Sequence, residues 1–211
     1  MSSFSGSPKV RKGAIIGMDV FNPLASVIVF QYNPEKLTRT LTARTTGSDS
    51  PDSDEALRLT GPPEETITLD VVIDAADQLE LARAPATKLG LHPTLASLEL
   101  LLYPKSALLI ANEVLARAGI IEVVAQKAPL TLFVWGPKRT LPVRITSFTI
   151  TEDAFDTNLN PILATVALSL QVLNYQSLGF PSVGGALFLA HQVAKEVMAT
   201  IAGVGALAGG P

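Results

Sequence analysis

The sequence predicts a mainly β protein with helices, an α+β chain built on a small β-barrel with an inserted helical segment and a C-terminal helix. Three observations predict this class. Alternating apolar and polar stretches, rich in β-branched residues, lie on both sides of an Ala- and Leu-rich segment, residues 75–128. One predicted strand changes its apolar phase midway, as strands do where a barrel bends. A last apolar stripe at helical spacing follows a joint rich in Gly, Pro and Ser.

The composition indicates a folded chain that shares much of its surface. Its 211 residues are enough for one good-sized core or two small ones. Hydrophobic residues make up 47% of the chain and charged residues 17%, below the share of about a quarter that is typical of globular domains. A disordered protein shows the opposite balance. The low charge therefore predicts that an oligomer or a larger assembly covers more of the surface than usual.

Several classes of function are disfavoured by the charge pattern and by missing residue types. The net charge is −3, and the only clustered basic residues lie within a predicted flexible tail, residues 1–12, so no nucleic-acid partner is expected. The absence of cysteine excludes disulfides and thiolate metal sites. There is neither a secretory signal nor an apolar run approaching about 18 residues. We therefore expect a soluble chain made in the cytoplasm, without membrane insertion.

Two strands are predicted around an Asn-Pro turn near the start of the chain. Residues 25–32 (ASVIVFQY) are β-branched and aromatic, and Pro34 ends the run because it cannot donate to a strand ladder. Residues 37–45 resume the pattern, with Leu37 and Leu41 on one face and threonines on the other. We expect the two strands to form a hairpin. Arg39 interrupts the apolar face, so it is expected near a rim or beside a carboxylate.

The middle of the chain combines a strand with the inserted helical segment. After a predicted loop at 46–63, residues 65–74 alternate apolar and polar side chains as a half-buried strand does. Leucines in residues 75–128 then recur at helical spacing, which predicts one or two helices inserted between strands. Thr94, which follows Pro93, is predicted to be a helix N-cap.

The β pattern returns in the second half of the chain. Strands are predicted at 130–135, 140–150 and 162–173, with a turn at 136–138. The apolar phase of the middle strand shifts by one residue between Ile145 and Phe148, which indicates a bulge or a sharp bend. A helix is predicted over 184–204. The predicted organisation is the tail, a barrel domain over 13–178 with its helical insertion, and a linker with a helix over 179–211.

No residue combination in the chain predicts catalysis. The two histidines, His92 and His191, match no nucleophile, metalloprotease or phosphate-loop motif, and no catalytic residue, metal or cofactor is assigned. The acidic residues Glu152, Asp153 and Asp156 could bind a divalent cation, which keeps a metal-dependent hydrolase as an alternative. They are more typical of a turn in which Asp and Asn side chains cap backbone groups.

Three stretches together resemble the tube-type protein family of contractile injection systems. These stretches are FQYNPEKLTRTLTART (30–45), ETITLDVVID (65–74) and the run 133–173, which contains FDTNLNPI (155–162). Members of this family belong to phage-tail-like machines with an inner tube, a sheath and a baseplate. The resemblance implies a small tail-tube-like β-barrel. It also implies a non-enzymatic structural protein, an initiator or adaptor that joins the baseplate spike to the first ring of the inner tube.

The resemblance also implies partners and assembly residues. The chain is expected to bind further copies of itself in a ring of six. Its other expected partners are the inner-tube protein and spike or baseplate proteins. Whether it also contacts a sheath component is not specified by the resemblance. Some members carry a peptidoglycan-binding LysM module, for which we expect no room after the last helix. The alternatives are a tube-end cap and a glycan- or peptidoglycan-binding barrel that would use Trp135. The residues expected to shape the assembly contacts are Phe30, Tyr32, Asn33, Pro34, Trp135, Gly136, Pro137, Phe155, Asn158, Asn160 and Pro161.

The resemblance also implies where the protein acts, and the apolar stripe raises the question of what the last helix binds. The chain is expected to be made in the cytoplasm and incorporated into a contractile particle, either retained or released. The apolar stripe of the C-terminal helix is expected to dock on its own barrel or on a neighbouring subunit. The sequence leaves these two alternatives open, as it does the choice between initiator and cap.

Overall fold

A computed structural model describes residues 11–18, 27–45, 58–82, 85–104, 106–117 and 129–208. The strands are β1 (Ala14–Met18), β2 (Val27–Val29), β3 (Leu37–Thr42), β4 (Glu64–Asp74), β5 (Leu130–Val134), β6 (Thr140–Phe155) and β7 (Pro161–Val172). The helices are α1 (Ala76–Glu80), α2 (Ala86–Leu89), α3 (His92–Glu99), α4 (Ser106–Arg117), α5 (Tyr175–Leu178) and α6 (Val183–Ala208). The predicted tail, most of the predicted loop at 46–63, and residues 118–128 lie outside the described residues.

All seven strands form one antiparallel sheet in the order β2-β1-β5-β6-β7-β4-β3. The α+β class, the inserted helices and the C-terminal helix are confirmed. The closed barrel is wrong, because the two end strands, β2 and β3, do not pair with each other in the described part of the chain. A three-residue β2 offers few backbone groups for pairing, and helix α3 packs beside it instead.

The Asn-Pro segment does not form the predicted hairpin. Strand β2 pairs with β1 and strand β3 pairs with β4, so residues 30–36 run from one edge of the sheet to the other. The segment is held at β1 by Asn33, whose Oδ1 accepts from the Gly13 backbone N–H at 2.9 Å and whose Nδ2 donates to the Arg11 carbonyl at 2.9 Å. The Phe30 N–H also donates to the Gly13 carbonyl. These bonds hold the segment beside residues 11–13, next to β1 rather than beside β3.

Strand β4 confirms the predicted alternation and organises the core. The apolar side chains on its inner face, at alternate positions from Ile67 to Ile73, are buried and lie opposite the buried apolar residues of β7. Strand β1 was not predicted, because both of its faces are largely buried and its sequence, AIIGM, does not alternate. The main core residues from these three strands are Ile15, Ile67, Leu69, Val71, Ile73, Ala164, Val166, Leu168 and Leu170.

The predicted bend in β6 is confirmed as a break in register. Ile145 lies opposite Leu170 and Ser147 lies opposite Ser169, so Thr146 is an extra residue at this point. Its hydroxyl donates to the Ser169 carbonyl at 3.0 Å. The strand continues to Phe155, five residues beyond its predicted end at 150. Part of the predicted acidic turn therefore belongs to the strand.

The inserted segment contains four helices in its described part, whereas the sequence predicted one or two. The N-cap prediction is wrong, because α3 begins at His92 and Thr94 lies inside its first turn. Pro93 is tolerated there because the N–H that it lacks has no partner in a first helical turn. Leu95 and Leu98 face the core as their spacing predicted. By contrast, none of the described side chains of α4 is buried.

Helix α6 matches the predicted helix over 184–204 and extends it slightly at both ends. Phe188 and His191 are its buried large side chains, and the Phe188 ring meets Tyr175 edge-on at 6.0 Å. Within the described residues, no helix is long and apolar enough to cross a membrane.

Candidate functional site

Four neighbouring strands, β6, β7, β4 and β3, turn a polar surface away from the core, which we call the polar face. None of the side chains in its rows is buried. Two rows across the strands are Thr40, Thr66, Gln171 and Arg144, and Thr38, Thr68, Ser169 and Ser147. Two further rows are Asp70, Ala167 and Thr149, and Val72, Thr165 and Thr151. The polar face is thus lined mainly by short hydroxyl side chains.

The polar face carries few charges, and its side chains bond to one another across the strands. Arg144 donates to Gln171 Oε1 at 2.5 Å. The Thr165 hydroxyl donates to Asp153 Oδ2 at 3.1 Å. Short hydroxyl groups exchange hydrogen bonds readily with water and offer no concentrated charge or apolar patch. Such a surface suits a wet channel wall better than a tight binding site.

Two unpaired strand edges border the polar face. Among the described strands, β3 pairs only with β4, which leaves its other edge unpaired there. Strand β5 covers β6 from Thr140 to Val143, and no described strand pairs with that edge of β6 beyond Val143. Because successive strands are antiparallel, β6 and β3 run in opposite directions. Unpaired edges of this length are templates for pairing with another chain.

The structure brings two of the predicted turn regions, around Phe30 and around Trp135, into contact. The contact is made by packed aromatic side chains and does not form a binding site. Phe30 is 1% exposed, and its ring lies 6.5 Å from that of Trp135. The Trp135 ring also stacks on Phe133 at 5.8 Å with an interplanar angle of 16°. A Cβ added at Gly13 would lie 2.8 Å from both Phe30 and Trp135. This cluster locks β1 to its neighbours, and the half-buried indole of Trp135 has its ring stacked on Phe133.

The remaining residues of these two regions lie nearer the surface. Tyr32 and Pro137 are exposed, while Pro34 and Gly136 are half-buried. Gly136 has a φ of 75°, which glycine adopts without strain. The Trp135 N–H donates to the Arg139 carbonyl at 2.7 Å and closes the turn. Of the six residues predicted here besides Asn33, Tyr32 and Pro137 are therefore the ones that a partner could touch directly.

The third predicted region, the turn between β6 and β7, is organised by Asp156. Its Oδ1 accepts from the N–H groups of Asn158 at 2.7 Å and Asn160 at 2.8 Å, and its Oδ2 accepts from Asn160 Nδ2 at 2.8 Å. The side-chain bond from Asn160, followed by the backbone bonds, holds the pKa of Asp156 below its ordinary value. The predicted capping by Asp and Asn side chains is confirmed for this turn.

This turn also anchors the inserted helices and exposes an apolar tip. Pro161 is buried, and its carbonyl accepts from the Leu91 N–H at 2.8 Å. Phe155 is exposed, and Leu159 is 78% exposed with a φ of 64°. Leucine rarely adopts this left-handed conformation. No sequence signal marked Leu159, because its neighbour Asn158 is the residue type expected at such a position.

A buried carboxylate that the sequence did not mark joins helix α6 to the sheet. Glu65 is 3% exposed, and its two oxygens lie 2.6 Å from Arg39 Nε and 3.6 Å from Lys195 Nζ. The predicted carboxylate partner of Arg39 is thereby confirmed. Burial alone would raise the pKa of Glu65, but the Arg39 hydrogen bond and the positive charges of Lys195 and Arg39 leave it lowered.

His191 lies beside this carboxylate on α6. Burial lowers the pKa of His191, with a further lowering from Lys195, while Glu65 and the Lys138 backbone act in the opposite direction. Neither imidazole nitrogen has a partner at ordinary hydrogen-bond geometry among the described residues. His191 is therefore a buried side chain, and burial favours its neutral form. It helps to pack α6 onto the sheet of its own chain.

Arg39→Met is expected to lower the free energy of unfolding by about 2 kcal/mol at neutral pH. Removing one partner of a buried ion pair costs about 3–5 kcal/mol. The smaller value follows because Arg39 is itself 26% exposed and Lys195 remains near Glu65. Urea unfolding followed by circular dichroism measures the loss. The double variant Arg39→Met with Glu65→Leu should recover most of it, since an apolar pair needs no charge partner.

The same variant has a pH signature with a defined sign. The lowered pKa of Glu65 means that its contribution is complete above its ordinary value of 4.5 and is lost as the pH falls through the native value. In Arg39→Met, burial dominates, so the carboxyl group takes up a proton more readily and loses its unpaired charge. The difference in stability between the two chains should therefore begin to narrow above pH 4.5, where the variant takes up its proton, and narrow further below 4.5, where the wild type loses its contribution. A difference that stays constant would contradict this account of Glu65.

Helix α6 divides into a docked half and an exposed half. Its first part, through His191, packs on its own chain. For that half, the choice between docking on its own sheet and docking on a neighbouring subunit is therefore decided in favour of its own sheet. After Glu196 no described residue of α6 is charged, and the large apolar side chains there are exposed. An open groove of about 660 Å³ runs between the β5–β6 turn and one side of α6, from Leu187 in the docked half to Ile201 in the exposed half. The exposed apolar row consists of Val193, Val197, Ile201 and Val204.

The acidic residues do not gather into a metal site in the described part of the chain. Glu152 and Asp153 belong to β6, whereas Asp156 is engaged by the turn. No group of three or more His, Asp or Glu side chains there is placed to hold a metal ion. Searches of protein-family models and of curated proteins gave no match to this chain. The interpretation of function therefore depends on the geometry of the polar face and on the resemblance of the three stretches.

Proposed function

We propose that this protein is a ring-forming structural component of a contractile injection system. In this proposal it is an inner-tube initiator or adaptor that joins the baseplate spike to the first tube ring, and it performs no catalysis. The observation that carries the proposal is the polar face bordered by two unpaired strand edges that run in opposite directions. The resemblance to tube-type proteins supplies the identity of the assembly.

The strand directions make a ring geometrically consistent. The polar face spans four strands, an even number, so its two border strands are antiparallel. A copy rotated about an axis along the strands would present its β3 antiparallel to the free edge of β6. Repeating this head-to-tail contact closes a ring when the rotation divides a full turn. Each subunit would then satisfy the backbone groups that its neighbour leaves unpaired.

The chemistry of the polar face fits the inner wall of such a ring. The opposite side of the same sheet is the apolar core, so the polar face must turn toward water or toward a polar partner. Hydroxyl-rich walls with few charges bind passing molecules weakly, because they offer neither strong ion pairs nor apolar area. A tube through which other molecules move requires this property.

Other exposed apolar surfaces would serve the contacts between rings and with the rest of the particle. The tip residues Phe155 and Leu159 lie at the end of the longest hairpin. Helix α4 and the end of α6 present further exposed apolar side chains. A chain with this many uncovered apolar surfaces fits a subunit with neighbours on several sides. The inner-tube protein and spike or baseplate proteins are the proposed neighbours, with the sheath left open.

A tube-end cap remains the alternative within the same class, since it would use the same ring. A glycan-binding module is the weaker alternative, because the half-buried indole of Trp135 already stacks on Phe133. Affinity purification from the native host, with mass spectrometry of the co-purifying proteins, separates initiator from cap. A tube protein together with a spike or baseplate protein supports the initiator, whereas tube and sheath without spike support the cap.

Cysteine cross-linking should trap the proposed ring contact. The chain has no cysteine, so the double variant Thr40→Cys with Arg144→Cys introduces two defined thiols. Within one chain these positions are three strand spacings apart, about 14 Å, which is too far for a disulfide. Between neighbouring copies they lie on the two edges that would meet. Oxidation of native-host lysate is expected to give a ladder of covalent oligomers that ends at the ring's copy number, with six expected.

Matched variants define the register and the control for this experiment. Two further pairs test other registers of the neighbouring β3 along β6. They combine Thr40→Cys with Ser147→Cys or with Thr149→Cys. Val29→Cys in place of Thr40→Cys provides an exposed thiol on β2, the other end strand of the sheet. Single-cysteine variants should stop at dimers. If no pair gives a ladder, or if the Val29 control gives the same ladder, the proposed edge contact is wrong.

A further inference from the structure

An open groove of about 550 Å³ lies between helix α6, the start of β4 and the residues that precede it, and we call it the β4 groove. It lies on the core side of the sheet, opposite the polar face, where Leu41 of β3 pairs with Glu65. Its lining combines apolar side chains with a group of polar ones. The apolar side chains belong to Leu41, Leu59, Pro62, Pro63, Tyr175 and Phe188.

Buried polar atoms without hydrogen-bond partners belong to two residues that line the β4 groove. His191 is 8% exposed, and neither of its ring nitrogens has a partner at ordinary hydrogen-bond geometry among the described residues. The side-chain oxygen of Gln192, the next residue of α6, is also buried and has no partner there. Because buried polar atoms in folded proteins are nearly always hydrogen-bonded, these two side chains indicate a site where a bound molecule supplies the missing bonds.

Positive charge exceeds negative charge around these groups. Glu65 is the one carboxylate among the described residues that line the β4 groove, and its oxygens lie 2.6 Å from Arg39 Nε and 3.6 Å from Lys195 Nζ. The longer distance exceeds that of an ordinary hydrogen bond, so the ammonium group of Lys195 keeps donors for another acceptor. Burial lowers the pKa of Arg139, Arg39 lowers it further and Glu65 raises it, so Arg139 adds a third cation nearby. This excess favours an anionic group beside Lys195.

The polar groups are spaced as the end of a polypeptide requires. Gln192 and Lys195 are three residues apart on α6, which makes them neighbours on the helix surface, about 5–6 Å apart at Cβ. Lys195 can donate to a carboxylate, Gln192 Oε1 can accept from an N–H group, and the neutral imidazole of His191 has one donor and one acceptor. The last residue of a polypeptide presents a carboxylate and an N–H group on one Cα atom. An apolar side chain on the same atom would meet the apolar part of the lining.

We propose that the β4 groove binds the C-terminal residue of a partner polypeptide that ends in an apolar side chain. The terminal carboxylate accepts from Lys195 and from the imidazole N–H of His191, and the backbone N–H of the same residue donates to Gln192. Its side chain packs against Leu41 and Phe188. A simple carboxylate, such as a fatty acid, would leave the Gln192 oxygen without a partner. The site is independent of the proposed ring, since the polar face and the backbone edges of the sheet take no part in it.

Titration of the full-length chain with small probes, followed by NMR at neutral pH, tests the proposal. Acetyl-glycyl-leucine carries the carboxylate, the N–H group and the apolar side chain, and it should shift the ring signals of His191 with a Kd on the order of 1 mM. The ring signals of His92, the other histidine of the chain and an exposed one, serve as the reference.

Three further probes each lack one of the recognised groups. Acetyl-glycyl-leucinamide lacks the carboxylate, and acetyl-glycyl-serine lacks the apolar side chain. Each is expected to bind at least about tenfold more weakly than acetyl-glycyl-leucine. Isocaproate keeps the carboxylate and the apolar side chain but lacks the N–H group, and it should bind about two- to tenfold more weakly. No shift at His191, or equal affinity for acetyl-glycyl-leucine and any one of these probes, would overturn the proposal.

Two lysine variants separate a direct contact from a general effect of charge. Lys195→Met should weaken the binding of acetyl-glycyl-leucine about tenfold and leave the binding of the amide unchanged. Glu65 keeps Arg39 in this variant, so the chain should remain folded. Lys138→Met is the matched control, because this exposed lysine lines the groove at the β5–β6 turn and not the β4 groove. It should change the affinity by less than about twofold. An equal loss in both variants would overturn the proposed contact, whether or not the ring forms.

Discussion

Ending the chain after Pro181 is expected to abolish the stable fold. This truncation removes Phe188 and His191, both buried, and uncovers Tyr175, on which Phe188 packs. Loss of a buried phenylalanine alone costs about 3–5 kcal/mol, and Lys195 is lost from Glu65 as well. Because a whole domain is stable by only about 5–15 kcal/mol, we expect aggregation or loss of cooperative thermal unfolding.

A second truncation separates the two halves of α6. Ending the chain after Glu196 keeps Phe188, His191 and Lys195, and removes only side chains that are exposed or outside the description. The free energy of unfolding should change by less than about 1 kcal/mol. If this variant folds but no longer enters the particle, the exposed half is an assembly element. A chain that ends after Pro181 and still unfolds cooperatively at an unchanged temperature would show that α6 does not cover the core.

Gly90→Ala is expected to lower the free energy of unfolding by about 3 kcal/mol or more. Gly90 ends α2 with a φ of 54° and a ψ of −132°, a conformation that residues with a Cβ rarely adopt. An added Cβ would lie 2.4 Å from the Pro161 carbonyl oxygen and 3.0 Å from Asn160 Cβ. That carbonyl accepts the Leu91 N–H, so the clash falls on the bond that attaches the insertion to β7.

Gly136→Ala is the matched control for this prediction. Gly136 also has a positive φ, of 75°, but an added Cβ there would meet nothing within 4 Å. Its expected loss is the backbone strain alone, about 1–2 kcal/mol. Urea unfolding followed by circular dichroism compares the two variants. Equal losses would mean that the Gly90–Pro161 approach is unimportant, whereas a larger loss at Gly90 confirms the clash.

The Gly90 contact also links stability to the proposed assembly. The β6–β7 turn is held by Asp156 and by the bonds from Asn160 and Pro161 to the inserted helices. Displacing the insertion should therefore move the apolar tip formed by Phe155 and Leu159. Chains with Gly90→Ala that remain folded are expected to enter the particle less efficiently than chains with Gly136→Ala.

The sequence was informative where a residue's environment repeats locally. Alternation along β4 predicted which of its side chains are buried, because successive residues of a strand point to opposite faces. The one-residue phase change in β6 predicted a bulge for the same reason. An arginine on an apolar face predicted a carboxylate partner, since an unpaired charge there is unfavourable.

The candidate site was predicted only in part. Asp156 stood out because Asp and Asn side chains cap backbone groups in turns, and it does so. Asn33 was expected only to shape the turn before Pro34, and its side chain also bonds to backbone groups. Asn33 bonds to Gly13, which lies 20 residues earlier in the chain. Nothing in the sequence around Asn33 points to that partner. Glu65 continues the apolar side of β4 but reads as a polar strand end, so its burial was not foreseen.

By itself the sequence determined the α+β class, the helical insertion, the break in β6 and the final helix. The tertiary structure alone decided the strand order, the open sheet, the separation of β2 from β3 and the clamp of α6 at Glu65. The physical reason is that periodicity records which face of an element is buried. It does not record which distant strand lies beside it, as when Ala14 pairs with both Val29 and Val134. That choice comes from competition among many apolar partners for one core, and it is settled only when the whole chain packs.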